Sequence, residues 1–390
     1  MTWKELREAV AADGVNYITG LIAPAVMILG YSFALPLPLS TVVWVRRALK
    51  NTRSRTYVDW NLPTWPDIYH RELSNVLRFH LNNRQYCLPQ VLVHENRSGL
   101  PLAQYGLGFE LDKRPFVISP ELAARTEKIF PKVLMRNARN PYFSDQENVR
   151  LVSHKEKSNK LILKVQPAWY TDYLRTNLLL DYSGDHHESL RSLIHSNGSL
   201  EQLSESRLAN LLGVNVLLLT ADGGLIVVKR SKDVTFRSGE LAPSSSGTIT
   251  RADAEKSGST FIIPRTILRE TTEEIGNHAT AVPQNDLTYL GITRELIRGG
   301  QPELFFVMRT DHSESEIKRL ANLAEDRWEN SRIRMIHVGK LAFENLDTPD
   351  QIHEFKCSID ECYRKIWPKA SLTLLTALAL WVRFKTKSYT

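Results

Sequence analysis

The chain has 390 residues, enough for two or three domains at roughly 150 residues each, and 42% of them are hydrophobic and 24% charged. These values exclude collagen-like, low-complexity and wholly disordered classes. A net charge of +7, from 50 basic and 43 acidic residues, favours anionic partners such as nucleotides, and three cysteines are too few for a disulfide framework in a chain of this length.

From Gly14 to Val45 there are 32 consecutive residues without Asp, Glu, Lys or Arg. Residues 15–35 form a 21-residue apolar run, long enough as a helix to span a hydrocarbon core of roughly 30 Å. Arg46, Arg47, Lys50, Arg53 and Arg55 follow with no acid among them. The pattern predicts an N-terminal membrane-inserted helical segment through residues 15–45, either a single span or a hairpin turning at Pro36–Pro38. By the positive-inside rule, residues 46–390 then lie on the cytoplasmic side. Residues 1–50 are thus read as a membrane segment with a trailing basic cluster.

Residues 51–160 read as an accessory domain whose function no motif reveals. Helical periodicity covers Ile68–Leu81, and strand-like runs occur at Leu88–Val93 and Tyr105–Leu111. Lys132–Lys164 is dense in bases interleaved with acids and reads as a solvated connection. It lacks the interleaved aromatics of a stacking platform, and no helix-turn-helix, RNA-recognition or zinc-finger pattern is present, so no specific nucleic-acid binding is expected.

From Leu161 the pattern becomes regular. Leu161–Val165 is a strand, and Val214–Thr220 and Leu225–Arg230 are strands joined by Ala221-Asp222-Gly223-Gly224, a strong hairpin signal. A helix, strands at Leu287–Arg294 and Glu303–Arg309, a helix at Ser315–Ala324 and a strand at Ile333–Val338 follow. This order predicts an α+β fold, a mixed α/β sandwich, over residues 161–390. The last apolar run, Ser371–Val382, is too short to cross a bilayer and reads as a core helix. Cys357 and Cys362 are spaced as neither a redox pair nor a zinc knuckle and are expected to be buried thiols.

One helix carries chemistry. Pro264–Gly276 begins with proline and ends at glycine, as helices favour. Glu270, Glu273 and Glu274 stand at i, i+3 and i+4, so three carboxylates crowd one face. Glu273 and Glu274 also fall in the last turn, where the helix dipole disfavours acids by about 0.3–1 kcal/mol each. A divalent cation reverses both penalties, because hard carboxylate oxygens suit Mg²⁺ or Mn²⁺.

The run Arg269-Glu270-Thr271-Thr272-Glu273-Glu274-Ile275-Gly276, preceded by a strand hairpin and by Ser246-Gly247-Thr248-Ile249, resembles the signature box of the Nudix hydrolase family. The likeness extends over about residues 161–384, where Leu218–Arg230 is similar to the strands before the box and Pro302–Phe306 to one after it. The resemblance implies a Nudix-like sandwich that chelates Mg²⁺ or Mn²⁺ and cleaves a nucleoside diphosphate linked to another moiety. It implies Glu273, Glu274 and the Gly247 carbonyl as metal ligands, Glu270 as a catalytic carboxylate and Arg269 as the residue orienting it. Glu295 and Glu303 are candidates for a further acid, and Lys229 and Arg230 for contacts to substrate phosphates.

Departures from the box are local. Gly247 to Arg269 spans 22 positions, eight more than the family pattern, and Phe261 stands where the family has Glu. The inserted Thr250–Ser259 reads as an extended loop in which Asp253 or Glu255 stands in for the missing acid. The combined expectation is a membrane-associated, metal-dependent diphosphohydrolase with a nucleotide-type substrate. The alternative is a degenerate Nudix-like nucleotide-sensing or scaffolding module coupled to the membrane segment.

Overall fold

The structure, a computed structural model, describes residues 62–386 apart from 83, 99, 139–142, 144, 158–159, 186, 232–233, 235–236, 257–261, 277–285, 325–328, 340, 342–343 and 345. Helix α1 (Trp65–Ile68) leads into strands β1 (Val76–Leu81) and β2 (Arg84–Glu95), followed by β3 (Gly106–Leu111) and helices α2 (Pro120–Thr126) and α3 (Phe130–Ala138). Strands β4 (Glu147–Lys157) and β5 (Lys160–Trp169) then precede helices α4 (Tyr170–Arg175) and α5 (Leu190–Ile194). Next come β6 (Gly213–Leu219), β7 (Gly224–Arg230), β8 (Leu241–Ala242), β9 (Ser245–Thr248), and helices α6 (Arg251–Lys256) and α7 (Ile262–Ile275). The chain continues with β10 (Leu287–Glu295), β11 (Gln301–Arg309), α8 (Glu314–Ala321), β12 (Asn330–His337), α9 (Pro349–Ile366) and α10 (Leu372–Thr386).

Nine strands form one sheet in the order β1-β2-β10-β11-β6-β7-β12, with β8 beside β7 and β9 beside β6. Only the β11–β6 pair is parallel; the other pairs in this sheet are antiparallel. The β6–β7 hairpin turns where the sequence predicts, with Gly223 at φ +88°, a conformation that glycine adopts without steric cost. A second sheet, β3-β5-β4, joins the first through β4, whose Val149 N–H donates to the carbonyl of Ile249. The boundary expected near residue 160 falls in the β4–β5 hairpin, and β2 pairs with β10 (Glu95 opposite Gly291), so strands from both sides share one sheet.

Period-2 alternation divides the central strands between two cores. Leu217, Leu219, Val227, Phe305 and Val307 face α9 and α10, whose Phe355, Tyr363, Leu378 and Trp381 are buried. Val216, Leu218, Val228, Leu304 and Phe306 face the other way, toward Ile263 and Ile267 of α7 and the inner residues of the second sheet. Each fully buried side chain of this size stabilises the fold by about 1.5–3 kcal/mol. A third feature fixes the β10–β11 turn. The Arg191 guanidinium, 1% exposed, donates to both Asp181 oxygens, to the Tyr69 hydroxyl, and to the carbonyls of Leu296 and Ile297, at 2.7–3.0 Å. All five of its N–H groups are thereby used.

Several expectations are corrected. The anticipated membrane segment, residues 15–45, lies outside the described residues, and among those described no helix is long and apolar enough to cross a membrane. The most apolar described helix, α10, has 15 residues, about 22 Å at 1.5 Å per residue. The fold class is therefore a mixed α+β fold built on sheets, with no membrane-spanning helix among its described elements. Residues 76–81, expected to be helical, form β1, because Val76-Leu77-Arg78-Phe79-His80-Leu81 buries alternate positions from Leu77 onward and pairs with β2. Lys132–Lys164 is solvated over much of its length, with 153–157 exposed, but it folds as helix and hairpin rather than as a connection. Cys362 is buried as expected, whereas Cys357 is exposed.

Candidate active site

Helix α7 buries Ile263, Ile267, Glu270 and Glu274, spaced four or three apart, on a single face. Two carboxylates thus take positions where the helix pattern calls for apolar side chains. Gly276 stops the helix at φ +68°, and a Cβ there would lie 2.2 Å from the Leu320 carbonyl oxygen. The helix starts at Ile262, two residues before the predicted proline.

Strand β9 runs antiparallel to β6, with Gly247 opposite Val214, and passes directly over these carboxylates. A Cβ on Gly247 would come within 1.9 Å of Glu270 Oε1, so any larger residue there would push that carboxylate from its place. The Ser246 N–H donates to Glu274 Oε2 at 3.2 Å. A second glycine plays the same part across the sheet, since a Cβ on Gly213 would lie 2.0 Å from Glu303 Oε2.

Arg269 clamps the cluster. Its Nη2 lies 2.9 Å from Glu270 Oε1 and donates to the Thr248 carbonyl at 3.0 Å, while Nη1 donates to Glu273 Oε2 at 3.0 Å. The inserted segment contributes as well. Asp253, 3% exposed, accepts from Arg269 and from the Thr266 hydroxyl. Residues 251–256 are helix α6 rather than loop, and Phe261 lies outside the described residues. Glu255 is exposed and paired with Arg251, so Asp253 is the acid of the insertion that reaches the site.

Burial pushes the Glu270 carboxyl up to about 7, with the charges of Glu273 and Glu329 adding to the rise and Arg269 opposing it. Burial also raises Glu274 well above the usual carboxylate range, reinforced by Glu329 and Glu270 and countered by Arg230. Burial alone would lower the Arg269 pKa, but Glu270, Asp253 and Glu273 outweigh it and raise it.

Gly247, Arg269, Glu270, Glu273 and Glu274 all border one cavity of about 370 Å³. Arg230, Glu295 and Glu303 border it too, whereas Lys229, the neighbour of Arg230 on β7, does not. Glu295 and Glu303 are tied up: Arg298 Nη2 donates to Glu295 Oε2 at 2.6 Å and to Glu303 Oε1 at 2.5 Å, and Asn215 donates to Glu303 Oε2 at 2.6 Å. Burial would raise Glu295, but Arg298 and Arg237 hold it below the usual range; burial raises Glu303 despite Arg298. The structure also brings in Glu329, Arg298 and Tyr170, which the sequence did not single out. Glu329 sits in a mixed-charge run, and only its proximity to Glu270 and Glu274 distinguishes it from surface acids.

Among the described residues, no group of three or more His, Cys, Asp or Glu side chains is arranged as a ready cage for a metal ion. The donor chemistry nevertheless fits a hard divalent cation. Two buried carboxylates repel each other and Glu329, and one lies where a glycine makes room for it. Mg²⁺ is commonly held by one or two carboxylates together with waters and substrate phosphates.

No family model matches the sequence, and no curated protein matches it. Solved structures do. DR0079 from Deinococcus radiodurans is 19% identical over 26% of this chain and 57% of its own length, with a TM-score of 0.20. A MutT protein from Methanosarcina mazei Go1 is 17% identical over 40% of this chain and 95% of its own length, with a TM-score of 0.25. The matched region thus spans little more than half of the first of these proteins. At these scores neither likeness fixes a fold or an activity for this chain.

Proposed function

We infer that the protein is a divalent-metal-dependent hydrolase that cleaves the diphosphate of a nucleoside diphosphate linked to another moiety. One observation carries this reading. Glu270 and Glu274 are buried on the core face of α7 against the glycine strand Ser245–Thr248, with Arg269 bridging Glu270 and Glu273. Stability alone does not call for this arrangement, since each buried carboxylate is costly unless its charge is compensated.

Glu273 and Glu274, with the Gly247 carbonyl, are the groups that would hold Mg²⁺ or Mn²⁺, with Glu270 beside them as the catalytic carboxylate. Such an ion, when bound, neutralises pyrophosphate charge and lowers the pKa of a coordinated water. Arg269 fixes the rotamers of Glu270 and Glu273, so the carboxylates need little rearrangement to act. Glu270 would then be the carboxylate that accepts a proton from the attacking water. Arg230, which borders the cavity, would contact a phosphate oxygen of the substrate.

The test is a screen of nucleoside diphosphate derivatives with the full chain in Mg²⁺ or Mn²⁺, scored for release of a nucleoside monophosphate. Activity that disappears in chelator and in Glu273→Gln supports the reading. Nucleotide binding without metal and without turnover favours a sensing module instead.

A further inference from the structure

Part of the cavity wall comes from outside the region that resembles the hydrolase family. Phe143 and Gln146, just before and at the approach to β4, line it together with Tyr170 and Tyr173 of α4. Hydrogen bonds make this wall a built surface. Asp145 accepts from the Thr171 N–H and from its hydroxyl, both at 3.0 Å, and the Gln146 carbonyl accepts from the Tyr170 N–H at 3.0 Å. Tyr173, 3% exposed, donates to Gln301 Oε1 at 2.5 Å, which anchors α4 to β11.

Tyr170 borders the cavity and is half-buried. Its ring centroid is 6.0 Å from that of Phe143 and 6.2 Å from that of Tyr173. Arg230 and Glu329 border the same cavity as the Tyr170 ring. A phosphate gains nothing from an aromatic surface; a flat ring does. Asn137 and Gln146 border the same cavity, giving its wall polar residues beside the aromatic ones.

We propose that Tyr170 and Phe143 form a nucleobase-stacking subsite, so that a residue just before the Nudix-like region and one near its start together read the base of the diphosphate substrate. This proposal rests on the hydrolase reading and refines it.

The experiment is calorimetric titration of the full chain with AMP, UMP and ribose 5-phosphate in Mg²⁺, ligands that report binding without turnover. Stacking of one base on one aromatic side chain predicts that both nucleotides bind about ten-fold more tightly than ribose 5-phosphate. Tyr170→Leu should reduce that ratio to below about three-fold, and Tyr170→Trp should keep it. Equal binding of all three ligands to the wild type overturns the proposal, as does a full base preference retained in folded Tyr170→Leu. Because the wild-type comparison needs no variant, a misfolded Tyr170→Leu leaves the test intact. Base-dependent binding without hydrolysis of any diphosphate supports the subsite and defeats the hydrolase reading. Metal-dependent hydrolysis of nucleoside diphosphate derivatives without any base-dependent binding does the reverse.

Discussion

Arg269 and Asp253 are joined across the inserted segment: Nη2 and Nε of the arginine lie 3.1 and 3.3 Å from the same oxygen, Asp253 Oδ2. The insertion therefore grips the residue that orients Glu270 and Glu273. Asp253→Asn keeps the shape but removes the charge, which should cost about 1–3 kcal/mol of stability and lower kcat by loosening Arg269. Denaturant midpoints and steady-state kinetics check this. Unchanged kcat in a destabilised variant would confine Asp253 to holding the fold.

The buried glutamates set an alkaline limit on the metal-free protein. Their folded pKa values lie above the ordinary carboxylate value of 4.5. The folded state therefore keeps protons that the unfolded chain releases, and stability falls as pH rises from about 4.5 through about 7. Glu274→Gln should flatten the upper part of that decline in chelator, while abolishing Mg²⁺-dependent hydrolysis. Added Mg²⁺ should raise the wild-type melting temperature most at pH 8–9 and leave Glu274→Gln nearly unmoved. A metal response of equal size in the variant would remove Glu274 from the ligand set.

His195 acts in the opposite direction. Burial, with the Arg191 charge next, holds its pKa down to about 3 against the usual 6.5. The unfolded chain takes up a proton that the folded chain refuses, so the stabilisation is complete above about pH 6.5 and is lost as pH falls toward 3. At pH 5 the loss comes to about 2 kcal/mol. The difference between wild type and His195→Gln, followed by denaturation from pH 7 to 5, should isolate this slope. Parallel curves for the two proteins would contradict it.

Arg191→Met should be among the more damaging substitutions away from the cavity. It removes the guanidinium that Asp181, the Tyr69 hydroxyl and the carbonyls of Leu296 and Ile297 share, in the turn between Glu295 and Arg298. A loss of about 3–5 kcal/mol is expected. A shift in the denaturant midpoint worth less than about 1 kcal/mol would show that water replaces the guanidinium there.

Much of the C-terminal half was legible because its strands carry continuous apolar runs and its hairpin an Asp-Gly-Gly turn. Glu270, Glu273 and Glu274 were legible because their spacing puts like charges together where a helix resists them. Their partners were not. Glu329 and Tyr170 reach the cavity through chain reversals that no local pattern encodes, and Asp253 looked like a loop acid until α6 turned it inward. β1 was misread because apolar residues at 73, 76, 77, 79 and 81 satisfy both periods over so short a window, and the partner strand decided the outcome. Glu295 and Glu303 were found by position, but Arg298, which neutralises both, gave no signal beyond being one arginine in a turn.

The pairing of β2 with β10 bears on how the chain is synthesised. Thr293 donates to Gln90 at 2.7 Å across 203 positions, so during translation the β1–β2 hairpin emerges long before the strand that covers its inner edge. Until then that edge presents unpaired N–H and C=O groups, and closing a loop of this length makes the step slow. The hairpin is therefore open to mispairing with other chains until β10 has been made. Expression of a fragment beginning near residue 161 would create the reciprocal hazard, a bare β10 edge in the middle of the principal sheet.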